Sequence, residues 1–136
     1  MKNTTLCYIS KGDKVLMLHR TKKQDDVNEG KWIGVGGHLE PGESKEMCVK
    51  REVWEETGLT LNSLKYRGVI DFFPDRYESE RMFLYTSDDF DGEMHECDEG
   101  DLKWVEKDQV MNLNLWEGDR IFLKYLVDAE PFFHLK

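Results

Sequence analysis

Between Gly37 and Leu59 the chain reads GHLEPGESKEMCVKREVWEETGL, and this stretch constrains the fold more than any other. A Pro41-Gly42 turn leads to Ser44, whose short hydroxyl side chain suits a helix N-cap. The spacing then predicts a helix over about 45–57, closed by Gly58 in left-handed geometry. Helical neighbours lie three and four residues apart, so Glu52, Glu55 and Glu56 share one face. Like charges repel there, and the helix dipole disfavours anions in the last turns. Two explanations fit such a cluster: a solvated acidic face, or a hard divalent cation held by oxygen ligands.

The segment resembles the Nudix box, the motif of enzymes that hydrolyse a nucleoside diphosphate linked to another group. Gly37, Glu43, Arg51, Glu52, Val53, Glu55, Glu56, Gly58 and Leu59 stand at the defined positions of that motif, at its spacing. The flanking order of strands, acidic loop and final helix resembles the MutT-like branch. That resemblance implies an α/β/α sandwich on a mixed β-sheet.

The rest of the chain agrees with a single Nudix-type domain over residues 1–136, a length able to bury a proper core. No apolar run approaches the roughly 20 residues of a membrane span, and MKNTTLCYISKGDK lacks the long apolar centre of a signal peptide. A cytoplasmic protein is expected. Cys7, Cys48 and Cys97 form no CxxC pair and read as reduced structural thiols. His19, His38, His95 and His134 are scattered, without metal-site spacing. The net charge of −9 argues against a nucleic-acid polymer as partner, since a polymer binder presents a basic face. It leaves room for a small nucleotide arriving with its own cation. No membrane partner is expected, and either a monomer or a homodimer fits.

Alternation predicts a hairpin from strands at 5–10 and 15–20 around the turn Lys11-Gly12-Asp13. Residues 21–31 form a polar loop of the kind that carries recognition. One apolar run follows over 32–38, with glycines that let backbone approach a ligand. In the helix, Val49 and Val53 make one apolar stripe, and Met47 with Trp54 makes a second flank, as in a helix wedged against a sheet. Further strands are expected at 65–73, 81–87 and 102–106, then an amphipathic helix at about 116–127.

Hydrolysis of a phosphoanhydride requires that the anionic oxygens be neutralised, a water placed in line and the leaving phosphate stabilised. Metal ions supply the first and third, and carboxylates hold metals. The resemblance implies Mg²⁺ as cofactor, with Mn²⁺ as a substitute. It implies Glu52, Glu55 and Glu56 as the catalytic carboxylates and as metal ligands, one of them also handling the attacking water. Glu52 is assigned as base and Glu56 as the principal ligand. The Gly36 carbonyl and Glu99, from the CDEGD loop, complete the implied ligand set, although Glu99 also reads as part of a solvated acidic loop. Gly37, Glu43 and Arg51 are expected to support the box, Glu43 pairing with Arg51 across the turn.

For the substrate, the resemblance is to 8-oxo-dGTP diphosphatases, which release a nucleoside monophosphate and pyrophosphate. Arg20 matches a phosphate-contacting position or is a plain surface arginine. Asn28 is a candidate for reading a base edge. Trp116 and Asp119 stand where that group stacks on and hydrogen-bonds a purine, with core packing the other reading of Trp116. Two positions depart from one branch: Ile33 stands where it has a base-reading Asn, and Gly118-Asp119 where it has Asp-Asp. A nucleotide sugar, a dinucleoside polyphosphate and a pterin triphosphate are the alternative substrates. A non-catalytic nucleotide-sensing module is the alternative outside enzymes, but such modules lose box carboxylates that this chain keeps.

Overall fold

The computed structural model describes residues 2–21, 30–73, 79–97, 100–115, 119, 120 and 123, and the backbone of 133–135. Strand β1 (Lys2–Lys11) is its axis. One edge runs parallel to β7 (Glu80–Ser87), from Lys2↔Glu80 to Ile9↔Ser87. The opposite edge is shared: Thr4 to Cys7 pair with β4 (Val35–His38), and Ser10 and Lys11 pair with β2 (Lys14–His19). The predicted hairpin is present, its turn closed by Gly12 at φ 59°. β1 begins three residues earlier than alternation alone suggests, because its first residues are held by β7, far away in sequence.

The apolar run over 32–38 divides into two strands. β3 (Trp32–Ile33) pairs with β2, whereas β4 pairs with β1. Gly34 lies between them where the chain passes close over β1: a Cβ there would fall 2.9 Å from the Cys7 carbonyl and 3.1 Å from the Tyr8 ring. Beyond helix α1 (Lys45–Thr57), β5 (Thr60–Leu61) and β8 (Phe90–Asp91) form a separate two-stranded sheet. β6 (Lys65–Phe72) lies antiparallel to β7, and β9 (Asp101–Glu106) antiparallel to β2. Besides β5 and β8, two further elements add to the predicted set. A 3₁₀ helix (Lys107–Asn112) follows β9, and β10 (Phe133–Leu135) runs parallel to β6. Of the expected final helix, residues 119, 120 and 123 are helical and the remainder lies outside the described residues.

The main sheet runs β10-β6-β7-β1-β2-β3, with β4 and β9 attached to β1 and β2. It is mixed, as expected, and apolar on both faces. Cys7, Ile9, Val35 and Tyr85 pack against Val49 and Val53 of α1 on one face. Leu6, Tyr8, Ile70, Met82 and Leu84 pack against Val110, Leu115 and Leu123 on the other. The β1 alternation therefore feeds two cores and sets the three-layer order. Cys7, Cys48 and Cys97 are buried and unbridged.

One expectation is corrected. Met47 and Trp54 are 58% and 60% exposed, so α1 seats one stripe, not two. No described element covers its outer flank, because the apolar contact with the sheet centres on Val49 and Val53. Leu84→Ala, at a site with no exposure, should therefore cost about 2–5 kcal/mol in urea unfolding. Trp54→Ala should stay within about 0.5 kcal/mol of the parent. A cost for Trp54→Ala equal to that for Leu84→Ala would mean the flank is covered after all.

Candidate active site

The local sequence builds the frame of this site before any tertiary contact is needed. Ser44 Oγ accepts the Met47 N–H at 3.2 Å to start α1, and Gly58, at φ 83°, donates its N–H to the Trp54 carbonyl to end it. Arg51 projects from the middle of the helix back toward the turn. Its Nε donates to Glu43 Oε2 at 2.7 Å and its Nη2 to Glu43 Oε1 at 3.1 Å, a forked pair. Nη1 donates to Glu52 Oε1 at 2.8 Å and to Glu55 Oε2 at 3.1 Å. Nη2 also reaches the His38 carbonyl at 3.1 Å. Glu43 is further fixed by the Glu40 N–H, which donates to Oε1 at 3.1 Å. The hydrogen bonds from Arg51, then that from Glu40, hold the Glu43 carboxyl down to about 2, and the bonds to Glu43 and then to Glu52 raise the Arg51 guanidinium.

Two glycines bring β4 against this cluster. At Gly36 a Cβ would fall 1.9 Å from the Thr5 carbonyl, so the pairing of β4 with β1 admits no side chain there. At Gly37 it would fall 2.5 Å from the Glu52 carboxyl, so the missing side chain is the space that the carboxylate occupies. Cys48 packs behind them, its Sγ 3.2 Å from Thr5 Oγ1. Glu52 retains 16% side-chain exposure and Glu55 49%. Oε2 of Glu56 is buried.

The three box glutamates thus stand on one face, but Arg51 draws one oxygen of Glu52 and one of Glu55 toward itself. Among the described residues no three Asp, Glu, His or Cys side chains converge as a metal cage. Glu99 lies outside the described residues. The loop that carries it is anchored on both sides: the His95 N–H donates to the Thr57 carbonyl at 2.9 Å. The His95 ring also abuts Gly58, where a Cβ would meet it at 2.7 Å. A Cβ on Gly100 would fall 1.9 Å from the His19 carbonyl. His95 therefore sits at the end of α1, and Gly100 at the end of β2 beside Arg20.

Asp119 is 6% exposed. Burial raises its carboxyl to about 7, with Glu80 adding to the effect and Lys31 opposing it. Glu80 is held by Thr4 Oγ1 at 3.0 Å. Arg20 closes the stem of the polar loop, its N–H donating to the Lys31 carbonyl at 3.0 Å while its own carbonyl accepts from Gly30 at 2.7 Å. Lys31 thus connects the loop stem to the surroundings of Asp119. Asn28 and Trp116 lie outside the described residues. Lys31, Glu80, Thr4, His95 and Gly100 were not singled out by sequence reasoning, because each matters through a partner distant in the chain. Only Gly100, a glycine closing an acidic run, carried a local signal.

A family model described as NUDIX domain matches residues 2–126. The chain is 31% identical to an uncharacterized Nudix hydrolase of Bacillus subtilis, YvcI, over 98% of its own length and 84% of that protein's. It is 30% identical to the oxidized purine nucleoside triphosphate hydrolase of Danio rerio, over 96% and 83% of the two chains. Among solved structures, the MutT protein of Bacillus halodurans superposes with a TM-score of 0.85 at 30% identity, over 98% of this chain and 90% of that one.

Two opposite pH dependences follow from the site. The folded-state value of Glu43 is depressed, so its contribution is present above about 4.5 and is lost as pH falls toward about 2. Glu43→Gln should destabilise at neutral pH and flatten that acid limb. The folded-state value of Asp119 is raised, so its contribution is full below 3.8 and is lost as pH rises through about 7. Asp119→Asn should remove that loss, whose steepest slope is about 1.4 kcal/mol per pH unit. Urea midpoints measured from pH 3 to 8 check both, and parallel profiles for parent and variants would refute both assignments.

Proposed function

This chain belongs to the NUDIX domain family, and from that premise we propose that it is a Mg²⁺-dependent nucleoside triphosphate diphosphatase acting on oxidised purine nucleotides such as 8-oxo-dGTP. The likeness to an oxidized purine nucleoside triphosphate hydrolase supports the substrate class. The observation that carries the purine part is Asp119, a carboxyl buried beside the sheet, which burial raises to about 7 so that its protonated form is accessible near neutrality. In that form it both donates and accepts, which suits the edge of a purine base.

The donor chemistry fits a hard cation. All the candidate ligands are oxygens, Gly37 leaves room for the Glu52 carboxylate, and an oxygen of Glu56 is already buried at the site. Glu52, Glu55, Glu56, Glu99 and the Gly36 carbonyl would hold the metal. Once bound, it would neutralise phosphate oxygens and stabilise the leaving group.

The chain's own residues do the rest. Glu52 takes the proton of a water whose oxygen attacks phosphorus. A new P–O bond forms, the bridging P–O bond breaks, and pyrophosphate leaves from the nucleoside monophosphate. Glu43, Gly37 and Arg51 act in support, because Arg51 fixes Glu52 and Glu55 while Glu43 fixes Arg51. Arg20 meets phosphate at the end of β2, and Asn28 and Trp116 meet the base. The protein works in the cytoplasm as a monomer or homodimer, and no described helix is long and apolar enough to cross a membrane.

Ile33 and Gly118 favour a second reading, in which the same carboxylates cleave a nucleotide sugar, dinucleoside polyphosphate or pterin triphosphate. Steady-state hydrolysis with Mg²⁺ separates the two. A preference for 8-oxo-dGTP over dGTP of about a hundredfold in kcat/KM, about 2.7 kcal/mol, is the expected result. A maximum on a sugar or dinucleoside substrate would discard the purine assignment and keep the catalytic one. Glu56→Gln should lower kcat by orders of magnitude with an unchanged unfolding midpoint. Near-parent turnover in that variant would remove Glu56 from the ligand set.

A further inference from the structure

Asn114 joins two segments that sequence alone leaves unrelated. Its carbonyl accepts the Trp32 N–H at 3.0 Å. Its Nδ2 donates to the Gly30 carbonyl at 3.0 Å, and its Oδ1 accepts from Lys31 Nζ at 3.1 Å. Three consecutive residues at the foot of the polar loop are thereby held by one residue. The same stem is tied to Arg20 by two backbone hydrogen bonds that do not involve Asn114.

On its other side, Asn114 stands five residues before Asp119. The neighbouring Arg120 turns back to donate to the Leu113 carbonyl at 2.9 Å and to the Met111 carbonyl. The segment carrying Asp119 is thus folded against residues 111–113, and Asn114 fastens that unit to the loop stem. Lys31, the cation whose field opposes the upward shift at Asp119, is the one whose ammonium Asn114 holds.

We propose that Asn114 is a positioning residue that sets the spacing between the loop stem at residues 30–32 and the Asp119 segment, and so governs affinity for the base of the nucleotide. This rests on the proposed nucleotide reading and goes beyond it, since Asn114 belongs neither to the box nor to the residues assigned to substrate. Asn114 is exposed. Water can therefore replace its side-chain partners, and its loss leaves the fold nearly unchanged.

The test compares the parent protein, Asn114→Ala and Asn114→Asp, using dGTP and 8-oxo-dGTP with Mg²⁺. Competitive inhibition by inorganic tripolyphosphate, which has no base, is measured alongside. Asn114→Ala should raise KM about tenfold while kcat stays within about twofold, the signature of lost binding without lost chemistry. Tripolyphosphate inhibition should be unchanged, because the Arg20 ties persist. Asn114→Asp keeps an acceptor for Lys31 and loses the donor to Gly30, so its KM should fall between the two. An unchanged KM in Asn114→Ala, or tripolyphosphate inhibition that weakens in step with it, overturns the proposal. If the parent protein turns over neither nucleotide, the purine reading fails first and the role of Asn114 fails with it.

Discussion

The arrangement around Arg51 is the interaction on which the rest of the site depends. Four carboxylates, those of Glu40, Glu43, Glu52 and Glu55, lie within 4 Å of one guanidinium. Without that cation they would repel one another, and Glu52 and Glu55 also stand toward the helix end whose dipole disfavours negative charge, where the last turn holds no basic residue. The planar fork matters as much as the charge. Nε and Nη2 span Glu43 in two bonds while Nη1 reaches the next two glutamates, which a lysine's single ammonium cannot do. The pair is partly buried, with Glu43 at 9% and Arg51 at 23% side-chain exposure, so salt screens it less than a surface pair.

That cluster is held to the sheet by contacts with no tolerance for added atoms. β4 lies along β1 at Gly36 so closely that backbone meets backbone, and Gly37 hands its side-chain volume to Glu52. Behind both, Val49 and Val53 seat α1 on the face formed by Cys7, Ile9 and Tyr85. The opposite face of the same strands supports Asp119. Its neighbour Tyr8 belongs to that core, where burial first and the Asp119 charge second push its phenol up. One strand therefore carries the box on one side and the surroundings of Asp119 on the other.

Much of this was legible in the sequence because it is local. The helix and both its caps follow from Ser44, the apolar spacing and Gly58, all within one short segment. The pairing of Glu43 with Arg51 follows from a turn that brings residues eight apart into reach. Where sequence reasoning erred or stopped short, a long-range contact was responsible. Trp32 to His38 reads as one apolar run until Gly34 is seen to pass over Tyr8, which sends its two halves to different partners. Met47 and Trp54 read as a packed flank because periodicity reports which residues share a face, not whether anything lies against it.

The sequence by itself determined the parts of the box: which carboxylates share a helix face, which arginine stands among them, and where glycine permits close approach. These depend on helical geometry and on the stereochemistry of single residues. Tertiary structure alone decided the state of those groups. Burial, not residue type, raises the Asp119 carboxyl to about 7. Pairing across the fold directs Glu80 onto Thr4 and Lys31 onto Asn114. The physical reason is range: side-chain direction along a helix is set within a few residues, whereas solvation and charge environment are set by whatever the whole chain packs nearby.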